Sequence, residues 1–184
     1  MSRQFWSETL VWATADGVAV ANTTTETIMF PNPLVPANFM QDGRVLRCRV
    51  FGKYSTTATP TLIFGVRWAG VTGTLLCKTA ACTLPTITAG GFELDYLIQT
   101  RSNGAAGTLM ANGTARVFAG VAGTVASATG EGLVTPMMNG GVLTPAAVTV
   151  DLTADTALSV TATWSAASAS NTLTGLNYVV EALN

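Results

Sequence analysis

Apolar side chains recur at every second position in segment after segment of this chain, the spacing of a strand with one buried face rather than of a helix. In residues 45–54, Leu46, Cys48, Val50 and Tyr54 share one face and Arg47, Arg49 and Lys53 the other. Leu62, Phe64, Val66 and Trp68 repeat the pattern opposite Thr61, Ile63, Gly65 and Arg67. Phe92, Leu94, Tyr96 and Ile98 repeat it opposite Glu93, Asp95 and Gln99, and Leu109, Ala111, Ala115 and Val117 form a weaker version in residues 107–118. The last third continues with Val148, Val150 and Leu152, then Leu158, Val160, Ala162 and Trp164, then Leu176, Tyr178, Val180 and Ala182. With two earlier β-rich segments at residues 8–13 and 25–30, the pattern predicts nine strands.

Between these runs stand turn formers: Asp16-Gly17, Pro31 to Pro36, Asp42-Gly43, Thr59-Pro60, Gly90-Gly91 and Asn103-Gly104. No ten-residue window carries a helical face. Many strands joined by Gly/Pro turns specify an all-β sandwich or barrel, and the count with its long crossovers points to an antiparallel jelly roll of eight to nine strands. An immunoglobulin sandwich ranks second, because 184 residues exceed its usual ~100 and no Cys-Trp-Cys arrangement is present. One domain is expected, with residues 1–24 as an N-terminal arm or first strand and residues 25–184 as the sandwich. A long excursion loop is expected at about 120–146, where patterning lapses and glycines and prolines gather.

Composition changes the picture in one respect. Charged residues make up 10% of the chain, against about 25% in an ordinary globular domain. From Thr156 to Val180 no charge occurs at all. Weak mutual repulsion favours assembly over life as a solitary particle. The net charge of −1 offers nucleic acid no long-range attraction. No unbroken apolar run reaches the roughly 20 residues of a membrane helix, and MSRQFWSETL lacks the apolar centre of a secretory leader, so synthesis and retention in a cytoplasm are expected. Neither nucleic acid nor membrane is expected as a partner.

The chemistry of catalysis is sparse. The chain contains no histidine, which removes Ser-His-Asp and Cys-His sites and histidine metal centres. Cys48, Cys77 and Cys82 are odd in number and lack zinc-type spacing, so they read as buried thiols. Glu93 and Asp95 are the one carboxylate pair on a shared strand face, about 6.5 to 7 Å apart along the strand, but a solvated face explains them better than glycoside hydrolysis. Asp151 and Asp155 lack the dense oxygen spacing of a calcium loop. No enzyme activity, no metal and no cofactor are expected.

What remains is contact. Arg47, Arg49 and Lys53 form a candidate intersubunit charge row. Phe5, Trp6 and Trp12 near the N-terminus, with Met137 and Met138 in the expected loop, form a candidate partner interface, since tryptophan is a favoured interface anchor and methionine an adaptable one.

Several stretches carry a resemblance: TTTETIMFP from Thr23 to Pro31, QDGRVLRCRVFGKYSTTATPTL from Gln41 to Leu62, RSNGAAGT from Arg101 to Thr108, and DLTADTALSVTATWSAASASNTLTG from Asp151 to Gly175. In wording the chain resembles small virion proteins of tailed bacteriophages. That resemblance implies a capsid decoration or cement protein, a jelly-roll homotrimer on the head surface whose partner is the major capsid protein, and it transfers no catalytic residue. The alternative is a tail-associated receptor- or carbohydrate-binding β-module. Such a module needs an exposed aromatic platform beside amides and carboxylates, and Tyr54, Trp68 and Tyr96 all fall on inward faces, which places this reading second.

Overall fold

Alternation is strongest in the two segments that anchor the larger sheet of the computed structural model, which describes residues 7–118, 133–139 and 145–183. In chain order the strands are β1 (Ser7–Trp12), β2 (Val20–Ala21), β3 (Thr27–Ile28), β4 (Leu34–Val35), β5 (Val45–Thr56), β6 (Thr61–Trp68) and β7 (Thr74–Lys78). They continue with β8 (Cys82–Thr83), β9 (Ile87–Ser102), β10 (Gly107–Phe118), β11 (Leu133–Met137), β12 (Val148–Val150), β13 (Thr156–Trp164) and β14 (Thr172–Leu183). The larger sheet runs β1-β14-β5-β9-β10-β11, with β2 on β14 and β12 on β10; the smaller runs β3-β13-β6-β7, with β4 on β13 and β8 on β6. Every pairing is antiparallel.

Eight of these strands carry the architecture. Numbered first to eighth in chain order, β1, β3, β5, β6, β7, β9, β13 and β14 stack as first-eighth-third-sixth in one sheet and second-seventh-fourth-fifth in the other. That interleaving is the jelly roll. Hairpin partners β10 and β11 extend the larger sheet beyond it.

The expected inward faces form one core. Leu46, Cys48, Val50 and Tyr54, Leu62, Phe64, Val66 and Trp68, and Phe92, Leu94, Tyr96 and Ile98 are all buried, together with Leu158, Val160, Ala162 and Trp164. The two buried indoles find partners, Trp68 Nε1 donating to Asp151 O and Trp164 Nε1 to Val20 O, each at 3.1 Å. Burial pushes the Cys77 thiol up to about 12 and raises Cys48 likewise, so both stay protonated at neutral pH and have little nucleophilic character.

Three departures from strict alternation have local causes. The pairing of β14 with β5 slips between Gly175 and Asn177, and the inserted residue, Leu176, is turned outward; a bulge of this kind re-aims one side chain while the rest of the strand keeps its faces. In β7 a similar slip beside Val66 and Arg67 puts Leu76 and Cys77 both inside, which hides its period. The expected loop at 120–146 is in part a strand: β11 pairs with β10, and Met138 exchanges backbone hydrogen bonds with Lys78 of β7 at 2.9 and 3.1 Å. This contact ties the two sheets together along one side. Residues 119–132 and 140–144 of that loop lie outside the described residues.

At the N-terminus, Ser7–Trp12 form β1, an edge strand of the larger sheet paired with β14. Leu10 and Val11 pack against the core.

The outer face of β13 is also covered, leaving Ser159 and Thr161 buried. Glu26, just before β3, accepts from Arg67 Nε at 2.6 Å and Arg67 Nη2 at 2.7 Å, and from Thr161 Oγ1 at 2.6 Å. Gly65 lies directly beneath this carboxylate. Burial works to raise the Glu26 pKa, but hydrogen bonds from Arg67 and Thr161 and the charges of Arg67 and Lys78 outweigh it, and the net shift is downward from 4.5. A depressed carboxylate contributes stability that is present above its unfolded value and fades as pH falls through the folded one. Glu26→Gln is therefore expected to cost about 1 kcal/mol at pH 7, after allowing for solvent screening of a partly exposed pair, measured by chemical denaturation. Its stability should also lose the component that the parent protein sheds below about pH 4.5; an unchanged acid profile would show that the ion pair contributes nothing.

Candidate functional site

A two-layer sandwich has two open sides. One is occupied by β10, β11 and the Met138–Lys78 contact. On the other, the sheets end in β1 and in β3 with β4. Between these edges lies a cleft of about 290 Å³, whose walls are the end of β1 with the strap through Asp16 and the turn from Phe30 to Pro33.

Its floor is aromatic. The rings of Phe30 and Tyr178 lie 5.4 Å apart at 32°, and both line the cleft from the edge of the core. Burial raises the Tyr178 hydroxyl well above 10, so it stays protonated. At the rim stands Trp12, 61% exposed. It pairs with Val179, whose next neighbour across the larger sheet is Arg49, and this register places Trp12 on the outer face of the edge strand. Thr14, Asp16 and Asn32 add exposed hydroxyl, carboxylate and amide groups.

Backbone packing holds the walls. The Ala13 amide donates to Tyr178 O and the Gly17 amide to Gly175 O, both at 2.8 Å. A side chain at Gly17 would collide with the Met29 carbonyl, and one at Gly175 with the Phe30 ring, so these two glycines let the strap lie flat against the turn. On the opposite wall, the Met29 amide donates to Val160 O at 2.9 Å and the Leu158 amide to Pro33 O at 3.0 Å, fixing both ends of a turn already stiffened by Pro31 and Pro33.

The candidate contact residues separate. Trp12 belongs to the cleft, whereas Phe5 and Trp6 lie outside the described residues. Met137 is fully buried in the chain's own core and Met138 is half-buried at the contact with Lys78, so neither stands out on a loop. The Arg47, Arg49 and Lys53 row does not present three free cations. Arg47 pairs with Asp95 at 3.2 Å, and Arg49 reaches Glu93 at 3.4 Å and Asp95 at 3.8 Å. Arg116 joins Glu93 from β10 at 3.3 Å. Lys53 is exposed between Thr174 and Gly91. Glu93, read as solvated, is 8% exposed because two arginines cover it.

Pattern reading missed Phe30, Tyr178, Asp16 and Asn32 as a group. Asp16-Gly17 and Pro31 to Pro33 registered only as turns, and the two rings only as core. Among the described residues that line the cleft, Asp16 is the one carboxylate. Among the described residues, no three Cys, Asp or Glu side chains gather as a metal site. The arrangement suits binding: an apolar floor and a few exposed hydrogen-bonding groups, at the small end of ligand pockets, which run from about 300 Å³ upward.

No family model matches the chain, and no curated protein matches it. Among solved structures, it is similar to the CBM2 module of the evolved Dit of Lactobacillus casei BL23 phage J-1, at 9% sequence identity over 99% of this chain and 98% of that one, with a TM-score of 0.34.

Proposed function

We propose that this chain is a receptor- or carbohydrate-binding β-module of a tailed-phage virion, associated with the tail, and that it acts by adhesion without catalysis. One observation carries the proposal: a cleft floored by Phe30 and Tyr178 opens at the edge of the sandwich, with Asp16 and Asn32 among its lining residues and the exposed Trp12 beside it on the outer face of β1. A sugar ring presents an apolar C–H face and a belt of hydroxyls. The first stacks on an indole, which combines large apolar area with few rotatable bonds. The second needs acceptors and donors such as a carboxylate and an amide. The phage setting is supported by the wording of the stretches quoted above, and the expected objection, that the aromatics point inward, holds for Tyr54, Trp68 and Tyr96 but not for Trp12.

A cleft of about 290 Å³ suits one ring rather than a long chain. Single-site affinity near the millimolar range, about −4 kcal/mol, would follow. A virion compensates by presenting many copies, since linked sites raise effective concentration.

A second reading, the capsid cement protein, is favoured by a different surface. On the outer face of the larger sheet Phe51, Leu97, Phe118 and Val134 are exposed around the Arg47, Arg49, Arg116, Glu93 and Asp95 network. Its charges are largely matched within the chain, and a patch with apolar side chains and little net charge resembles the centre of an interface. Three such subunits would fit a three-fold position on a head lattice.

Two measurements separate the readings. In a glycan array followed by NMR titration, the protein should bind defined sugars and Trp12→Ala should weaken binding by about tenfold or more, the usual scale for an aromatic anchor; full affinity in that variant would remove the cleft from the function. Light scattering at micromolar concentration, combined with binding to undecorated heads, tests the cement reading. A trimer that saturates the heads would establish it, and a monomer that ignores them would end it.

A further inference from the structure

Charge in the cleft is one-sided. Among the described residues that line it there are one carboxylate, Asp16, and neither lysine nor arginine. The arginines of the neighbouring sheet face do not compensate: Arg47, Arg49 and Arg116 are engaged with Glu93 and Asp95. Arg67, on the smaller sheet, is held by Glu26.

From this we infer that the cleft selects its sugar by charge, accepting neutral and amino sugars and rejecting uronic acids and other anionic sugars. The inference rests on the carbohydrate reading and narrows it. A ligand charge about 5 Å from the Asp16 carboxylate in a water-like dielectric changes affinity roughly fourfold, in favour of a cation and against an anion. The spread between an amino sugar and the matching uronate is then roughly sixteenfold. Salt should narrow it, since the rim is open to solvent.

The test uses two matched sets of probes, glucose, glucosamine and glucuronate, and galactose, galactosamine and galacturonate, titrated against the intact protein by NMR at low and high salt. The expected result is at least a tenfold preference for the amine over the uronate in whichever set binds, with the neutral sugar between them. In Asp16→Asn that ratio should fall to about twofold or threefold, while the variant keeps the parent spectrum outside the cleft. Equal binding of all three members in the parent protein would overturn charge selection and leave the sugar site standing. An unchanged ratio in Asp16→Asn would assign the selection to another group and overturn the role given to Asp16. Absence of binding by all six probes, with the protein folded, would overturn the carbohydrate reading and this inference with it.

Discussion

Closing a two-layer β-sandwich is a problem of its sides. Inner faces bury themselves by meeting each other, but where both sheets run out of strands the edge of the core meets water. This chain treats its two sides differently. One is filled by β10 and β11 and tied by the Lys78–Met138 contact. The other stops at β1 and β3, so that the outermost core rings, Phe30 and Tyr178, become the floor of a cleft. The candidate site is thus set against the edge of the core, where Phe30 and Tyr178 are 4% and 2% exposed, and its rigidity comes from the packing that stabilises the fold.

Electrostatics follows the same economy. With 10% charged residues, the chain places much of its charge in internal pairs: Glu26 with Arg67, and Arg47, Arg49 and Arg116 with Glu93 and Asp95. Partly exposed pairs of this sort contribute little stability each, commonly under about 1 kcal/mol. Their larger effect is on the outer sheet face, where apolar side chains such as Phe51 and Leu97 stand beside charges already matched. A neutral, partly apolar face suits contact with another protein.

Fold class, strand faces and core were legible because they depend on a period of two, which needs no knowledge of what lies across the sheet. The features that depend on pairing were not. Leu176 shares parity with Tyr178, yet the bulge against Gly52 and Phe51 turns it to solvent. Residues 133–137 contain a proline and weak alternation, and become a strand through the register that β10 offers. Glu93 is covered by arginines from β5 and β10, strands 44 and 23 residues away in sequence at the paired positions. Trp12 stood out by residue type, but its partners in the cleft come from β1, the turn after β3 and β14, a neighbourhood that only the closed sandwich creates.

Phe30 links the fold to the site most directly. Its ring occupies the space above Gly175, stacks on Tyr178 and still reaches the cleft. Any side chain larger than hydrogen at residue 175 would have to displace it, which would disturb the edge of the core and the floor of the cleft at once. The strap from Ala13 to Gly17 is coupled to the same place, since its amides bond to Tyr178 and Gly175 on β14. Edge strands open more readily than central ones because they are held from one side alone. A ligand bridging Trp12 and the Phe30 turn would supply β1 with contacts on its open side, so binding and the local stability of that edge strand rise together by linkage.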